Sequence, residues 1–250
     1  MKQVFQTLLD FIYPPHCAIC EASIEGGAER IVCSTCWGKV DLVVPPWCRR
    51  CGQTSERHTE VCPACEEWRY RFSRIRTMAR FEGVVQDLIH LLKYQGKRSI
   101  AKRLGAVLAD RLLSDSMVGR IDLLIPVPLH SSRERERGYN QSALIARAVG
   151  EHLGVPVEER VLQRVKNTQT QTQLSASERS ANVAGAFRVR GPEVVAGRRV
   201  ALVDDVVTTG ATADACAEAL IATGASEILL LALAAPHKAS KEDSEGGCET

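Results

Sequence analysis

The chain is 250 residues long and 45% hydrophobic, enough to bury a sizeable core in one large domain or two smaller ones. Its formal net charge of +2 singles out neither an acidic nor a basic partner, and no run reaches the roughly 18 apolar residues of a membrane span. Eight of the ten cysteines lie in 17–65, with only Cys216 and Cys248 beyond, so two parts built on different principles are expected.

Val4, Leu8, Leu9 and Ile12 recur at helical spacing and predict a short amphipathic helix that Pro14 and Pro15 end. Asp10 interrupts this apolar stretch and no small-residue cleavage site follows, which is unlike an export signal and predicts a cytoplasmic protein with reduced thiols. Residues 17–65 show little periodicity and many turn formers (Gly26, Gly27, Pro45, Pro46, Gly52, Pro63), so they need a staple to fold. Their cysteines run Cys17-x-x-Cys20, twelve residues, Cys33-x-x-Cys36, then Cys48-x-x-Cys51, ten residues, Cys62-x-x-Cys65. Two residues between thiols let both sulfurs reach one ion at about 2.3 Å, and a second pair closes a tetrahedron, which predicts two structural zinc ions. A disulfide framework is disfavoured by the compartment, and redox chemistry would need one reactive pair rather than four alike. Pairing in sequence order competes with an interleaved cross-brace, and His16 and His58 are less favoured substitutes.

Eight thiolates and two zinc ions would take the net charge from +2 to about −2. Residues 1–70 hold seven Lys and Arg against nine Asp and Glu, so their field repels nucleic acid. Contact there would have to come from Trp47, Arg49, Arg50 and Trp68, and a spacer or docking role weighs as much. Residues 71–140, with fourteen Lys and Arg against seven Asp and Glu, could instead meet phosphates.

Beyond Arg69 the periodicity predicts strands at 72–81, 121–127, 155–160, 186–190, 200–203 and 227–234, and helices at 84–93, 99–113, 141–153 and 211–223. This alternation is that of an α/β domain with a central, mainly parallel sheet flanked by helices. The stretch 164–184, rich in Gln, Thr, Ser and Asn, is expected to be a mobile active-site loop, and 237–250 a disordered tail. The expected boundaries are 1–69 for the helix and cysteine module, 70–236 for the α/β domain and 237–250 for the tail.

The most specific segment is Val200-Ala-Leu-Val-Asp204-Asp205-Val206-Val207-Thr208-Thr209-Gly210-Ala211-Thr212. A buried strand delivers two carboxylates at its C-terminal edge, where open α/β sheets place ligands, and a short turn leads into a helix N-terminus. Backbone N–H groups and the positive end of the helix can surround a phosphate, the threonines can donate hydroxyls, and Gly210 permits close approach. Asp204 and Asp205 would hold the hydroxyls of an adjoining ribose and favour positive charge at its anomeric carbon. An ATPase Walker-B strand also ends in acids, but no Gly-x-x-x-x-Gly-Lys-Ser/Thr is present.

This segment closely resembles the 5-phosphoribosyl-1-pyrophosphate signature of the type I phosphoribosyltransferases. The resemblance implies that Asp204 and Asp205 contact ribose, that Thr208, Thr209, Gly210, Ala211 and Thr212 hold the 5-phosphate, and that magnesium accompanies the pyrophosphate. Two further series narrow it: Ile125-Pro-Val-Pro-Leu-His130 leading to Arg137-Gly-Tyr-Asn-Gln-Ser142, and Leu162-x-Arg164, Thr172-x-Leu174, Arg179-x-x-Asn182 and Ala186-Phe187. With Leu92-Lys-Tyr94 and the cysteine module, these make 17–236 similar to the competence protein F (ComF) family. The resemblance implies a type I phosphoribosyltransferase fold preceded by a small double zinc-ribbon domain. It also implies a role in the uptake of single-stranded DNA, with DNA and DNA-uptake proteins as partners, and leaves the phosphoribosyl acceptor open.

Arg133, Arg135 and Arg137 lie in or beyond the turn where type I enzymes bind pyrophosphate. The alternative is a solvated run offset by Glu134 and Glu136, and Arg137, beside Gly138, is the preferred candidate. The polar loop resembles by position the family's closing catalytic loop and could bring Arg164, Lys166 or Arg179 to pyrophosphate, Arg164 being the candidate catalytic residue. No role is assigned to His90, His130, Cys216 or Cys248. Two readings follow: an enzyme that transfers phosphoribose to a nitrogen nucleophile, and a non-catalytic single-stranded-DNA-binding or docking protein regulated by the same ligand.

Overall fold

The computed structural model describes residues 15–24, 31–54, 61–113, 115, 120–166 and 183–236. The predicted N-terminal helix, most of the polar loop with Arg179, and the predicted tail with Cys248 lie outside the described residues.

Six strands and six α-helices are described: α1 (Ser34–Gly38), β1 (Arg74–Arg80), α2 (Val84–Tyr94), α3 (Ile100–Leu113), β2 (Leu123–Pro126), α4 (Ser131–Arg137), α5 (Gln141–Leu153), β3 (Leu162–Arg164), β4 (Phe187–Val189), β5 (Arg199–Val206), α6 (Ala211–Ile221) and β6 (Glu227–Ala235). Four strands form a parallel sheet in the order β1-β6-β5-β2. β5 and β6 are almost continuously apolar because helices cover both faces of a parallel sheet. Their side chains still alternate. Ala201, Val203, Leu229 and Leu231 join one core cluster with α2, α3 and α5, while Val200, Leu202, Ile228 and Leu230 join the other, with α6 and the β3–β4 pair.

β3 and β4 pair antiparallel, with Arg164 opposite Phe187, and the Val165 amide donates to the Ala186 carbonyl at 2.8 Å. The predicted strand at 155–160 is instead a single bridge between Val157 and Leu124. Two bonds hold it to β2, Leu124 N–H to the Pro156 carbonyl and Glu158 N–H to the Leu124 carbonyl, both at 2.9 Å. Pro156 has no N–H with which to extend a ladder.

The cysteine-rich part lies along the edge of β1. Val43 N–H donates to the Met78 carbonyl (3.0 Å), Arg80 N–H to the Asp41 carbonyl (3.1 Å) and Ile75 N–H to the Arg50 carbonyl (2.8 Å). Cys17, Ile24, Val32 and Cys36 belong to the core cluster that contains α2 and α3. The ribbons thus cap a sheet edge and share a core with the α/β domain. No helix among the described residues is long and apolar enough to cross a membrane.

Candidate phosphoribosyl site and metal centres

β5 carries Asp204 and Asp205 to the C-terminal edge of the sheet, flanked by the N-terminus of α5 and the C-terminus of α2. Asn140 caps α5: its Oδ1 accepts from Ser142 N–H (3.0 Å), while its Nδ2 donates to the Val127 carbonyl (3.0 Å), tying the helix start to the end of β2. The first two residues of α5 then turn onto the acids. Ser142 Oγ donates to Asp204 Oδ1 at 3.0 Å, and Gln141 Nε2 donates to Asp205 Oδ2 at 2.6 Å. Asp205 is buried and its other oxygen meets Lys93 Nζ at 2.7 Å. Arg137 Nη1 donates to Gln141 Oε1 and its guanidinium lies 5.2 Å from the centre of the Tyr94 ring.

Burial, reinforced by the neighbouring Asp205 charge, pushes Asp204 up to about 7. Burial and then repulsion from Arg133 lower Arg164, and Cys216 and Asp204 oppose them. Its guanidinium also lies over Phe187, 5.7 Å from the ring centre. Cys216 is fully buried in α6 and burial pushes its thiol well up, as befits an inert core residue.

After Val206 and Val207 the chain turns through Thr208, Thr209 and Gly210 into α6, whose first residues are Ala211 and Thr212. Gly210 has φ +74°, a left-handed conformation that opens the helix, and Thr209 Oγ1 accepts from Ala211 N–H at 3.4 Å. The turn lies beside the acids and ahead of a helix N-terminus, the arrangement predicted for a phosphate cradle.

Around the end of β5 Arg137 reaches the acid pair through Gln141, while Arg164 stands on β3 opposite Phe187. Arg135 is exposed on α4, and His130 caps that helix, its ring Nδ1 accepting from Ser132 N–H at 3.3 Å. Exposed His90 lies against Tyr94, and Lys166 donates to the Ala184 carbonyl at 2.9 Å. Lys93, Gln141 and Ser142 were not singled out from sequence, although all three lie in segments that carried the family resemblance. Their polar ends are meaningful only once α2 and α5 flank β5.

The eight cysteines form two clusters, Cys17/Cys20/Cys33/Cys36 and Cys48/Cys51/Cys62/Cys65, with the sulfurs in each within 4.8 Å of one another. The pairing is in sequence order, and the interleaved cross-brace is not adopted. Sulfurs of Cys17 and Cys36 are 3.8 Å apart, those of Cys20 and Cys33 3.7 Å, and those of Cys51 and Cys62 3.7 Å. A tetrahedron with Zn–S bonds of about 2.3 Å has edges of about 3.8 Å, so both donor sets fit structural zinc. Backbone amides orient the ligands: Cys33 N–H points to Cys17 Sγ (3.4 Å) and Cys62 N–H to Cys48 Sγ (3.3 Å). Three of the side chains considered for nucleic acid, Trp47, Arg50 and Trp68, have partners within the protein. Trp47 lies under Arg111, and Arg50 sits over Trp68 with its Nη1 donating to the Cys65 carbonyl at 3.4 Å.

A double zinc ribbon domain model matches residues 8–66 and a phosphoribosyl transferase domain model residues 140–248. Competence protein F of Haemophilus influenzae is 30% identical over 211 residues, covering 83% of this chain and 91% of that protein. This chain belongs to the competence protein F family. Other relatives are the DNA utilization protein YhgH of Salmonella typhimurium, 32% identical over 79% of this chain and 87% of its own, and competence protein ComFC of Bacillus subtilis, 28% identical over 78% and 80%. Among solved structures, a purine phosphoribosyltransferase from Pyrococcus horikoshii aligns with 56% of this chain and 78% of its own at 19% identity, with a TM-score of 0.35, too low to add to the fold already described. As a competence protein F family member the chain thus combines a phosphoribosyltransferase fold with a double zinc ribbon.

Proposed function

We propose that this chain binds 5-phosphoribosyl-1-pyrophosphate with magnesium at the end of β5, as a phosphoribosyltransferase-like protein that serves DNA uptake. The observation that carries the ligand assignment is the acid pair held by Ser142, Gln141 and Lys93 immediately ahead of the Gly210 turn and the N-terminus of α6. In this reading Asp204 and Asp205 accept from the ribose hydroxyls, and the Thr208–Thr212 turn receives the 5-phosphate. Arg137 and Arg164 neutralise pyrophosphate. Magnesium would be held at the acid pair Asp204 and Asp205 and would offset the charge of the pyrophosphate. If transfer occurs, the bond between the anomeric carbon and the pyrophosphate oxygen breaks with its electron pair leaving on oxygen. Asp204 and Asp205 then stabilise the positive charge on the sugar until a nitrogen nucleophile attacks.

The DNA-uptake part rests on the competence and DNA-utilization names of the relatives. Calorimetric titration of the zinc-loaded protein with 5-phosphoribosyl-1-pyrophosphate and magnesium, beside an Asp204→Ala/Asp205→Ala variant, tests the ligand. Saturable binding by the parent, abolished in the variant, is expected; equal affinity of the two proteins would remove the acid pair from the site. The docking alternative predicts single-stranded DNA affinity that falls steeply with salt.

A further inference from the structure

The segment joining the second zinc ribbon to β1 crosses the phosphate turn, and its side chains are committed to that crossing. Tyr70 Oη donates to the Thr209 carbonyl at 2.8 Å. Its ring stacks on Phe72 (centroids 4.8 Å apart, planes at 11°) and meets Trp68 edge-on at 5.0 Å. Trp68 Nε1 in turn donates to the Phe72 carbonyl at 3.0 Å, locking the three rings together. Gly210 lies against this cluster: a Cβ there would come within 3.1 Å of Tyr70 Cε1 and 3.4 Å of Phe72 Cζ. The next residue, Arg71, grips the first turn of α6, its backbone N–H and Nη1 each meeting an Asp214 carboxylate oxygen at 2.6 Å.

These contacts act on one peptide plane. In a trans peptide the N–H points opposite to the carbonyl. Tethering the Thr209 oxygen to Tyr70 therefore aims the Gly210 N–H away from the strap. Without that tether the Thr209–Gly210 plane could rotate and offer its oxygen, which repels phosphate, in place of its N–H.

We propose that Tyr70 is a positioning residue for the 5-phosphate, holding the Thr209–Gly210 peptide with its donor presented, and that the second four-cysteine site anchors the strap on which Tyr70 sits. The anchor is physical: Arg50 donates to the Cys65 carbonyl, lies 5.8 Å from the Trp68 ring and accepts, through its own carbonyl, the Ile75 amide on β1. This inference rests on the phosphoribosyl reading above and deepens it, because it makes the phosphate subsite depend on a residue outside the phosphoribosyl signature.

Tyr70→Phe in the full-length zinc-loaded chain deletes the hydroxyl and keeps the stacked ring. Calorimetric titrations with ribose 5-phosphate, with 5-phosphoribosyl-1-pyrophosphate and magnesium, and with pyrophosphate and magnesium separate the subsites. The two 5-phosphate ligands are expected to weaken together by about five- to tenfold, the scale of one lost hydrogen bond, with pyrophosphate unchanged. Amide hydrogen exchange of the ligand-free variant is expected to quicken across Thr208–Thr212 while β5 stays protected. Unchanged 5-phosphate affinity, or equal weakening of all three ligands, overturns the positioning role. A parent protein that binds none of the three defeats the phosphoribosyl reading itself, and the inference falls with it.

Discussion

Asp204 occupies a position that costs the folded chain stability. Its carboxyl is pushed up to about 7 by burial and by Asp205, while Lys93 and Ser142 partly oppose the shift. Between the ordinary carboxyl range and about 7 the folded chain keeps a proton that the unfolded chain releases. Folding stability therefore falls as pH rises through that window. Asp204→Asn keeps the acceptor for Ser142 and removes the charge. Its melting temperature is expected to exceed the parent's by several degrees at pH 8 and by little at pH 4.5, while phosphoribosyl affinity drops at least tenfold. Thermal melts at both pH values check the first part, and a variant less stable than the parent at pH 8 would contradict it.

At the scale of elements, α5 places the polar end of the site and α3 fixes α5. Gly105 of α3 faces Ala148 so closely that a Cβ would lie 2.5 Å from the Ala148 Cβ and 3.1 Å from the Ile145 carbonyl oxygen. Gly105→Leu must push α5 outward, and with it the Gln141 and Ser142 contacts to the acids. A loss of about 1–3 kcal/mol in urea unfolding is expected, with weakened ligand binding although no ligand contact was altered. The helix itself was legible in sequence, because its apolar spacing predicts 141–153 as observed. β3 was not. Leu162–Arg164 is too short to show a period, and it is a strand only because β4 pairs with it.

For the whole molecule, the ribbons and the α/β domain share hydrogen bonds along β1 and a common hydrophobic cluster. Arg76 and Asp115 add an ion pair near this seam, 2.7 Å long and about nine-tenths buried on both sides. Losing zinc therefore uncovers a strand edge as well as unfolding a ribbon. Cys62→Ser is expected to lower the zinc content by one ion per chain, measured by elemental analysis, and to lower the melting temperature and promote aggregation. A variant that binds one ion and melts like the parent would mean that the second ribbon contributes nothing to the edge of β1. Four of the fourteen basic residues of 71–140 that could meet phosphates are paired with acids within the fold: Arg71 with Asp214 and Glu218, Arg76 with Asp115, Arg80 with Asp41 and Lys93 with Asp205.

The sequence by itself determined the two-part organisation, the two four-cysteine sets, the strand that carries the acid pair with the helix that follows it, and the family. Each is written in local spacing: the stride between paired thiols, the period of an apolar strand, the order of acids, threonines and glycine after it. Tertiary structure alone decided that the thiols pair in sequence order, that Lys93, Gln141 and Ser142 hold the acids, and that Tyr70 reaches the Thr209 carbonyl. These partners come from segments far apart in the chain. Their meeting depends on which helix covers which strand, and no spacing within a single segment encodes that.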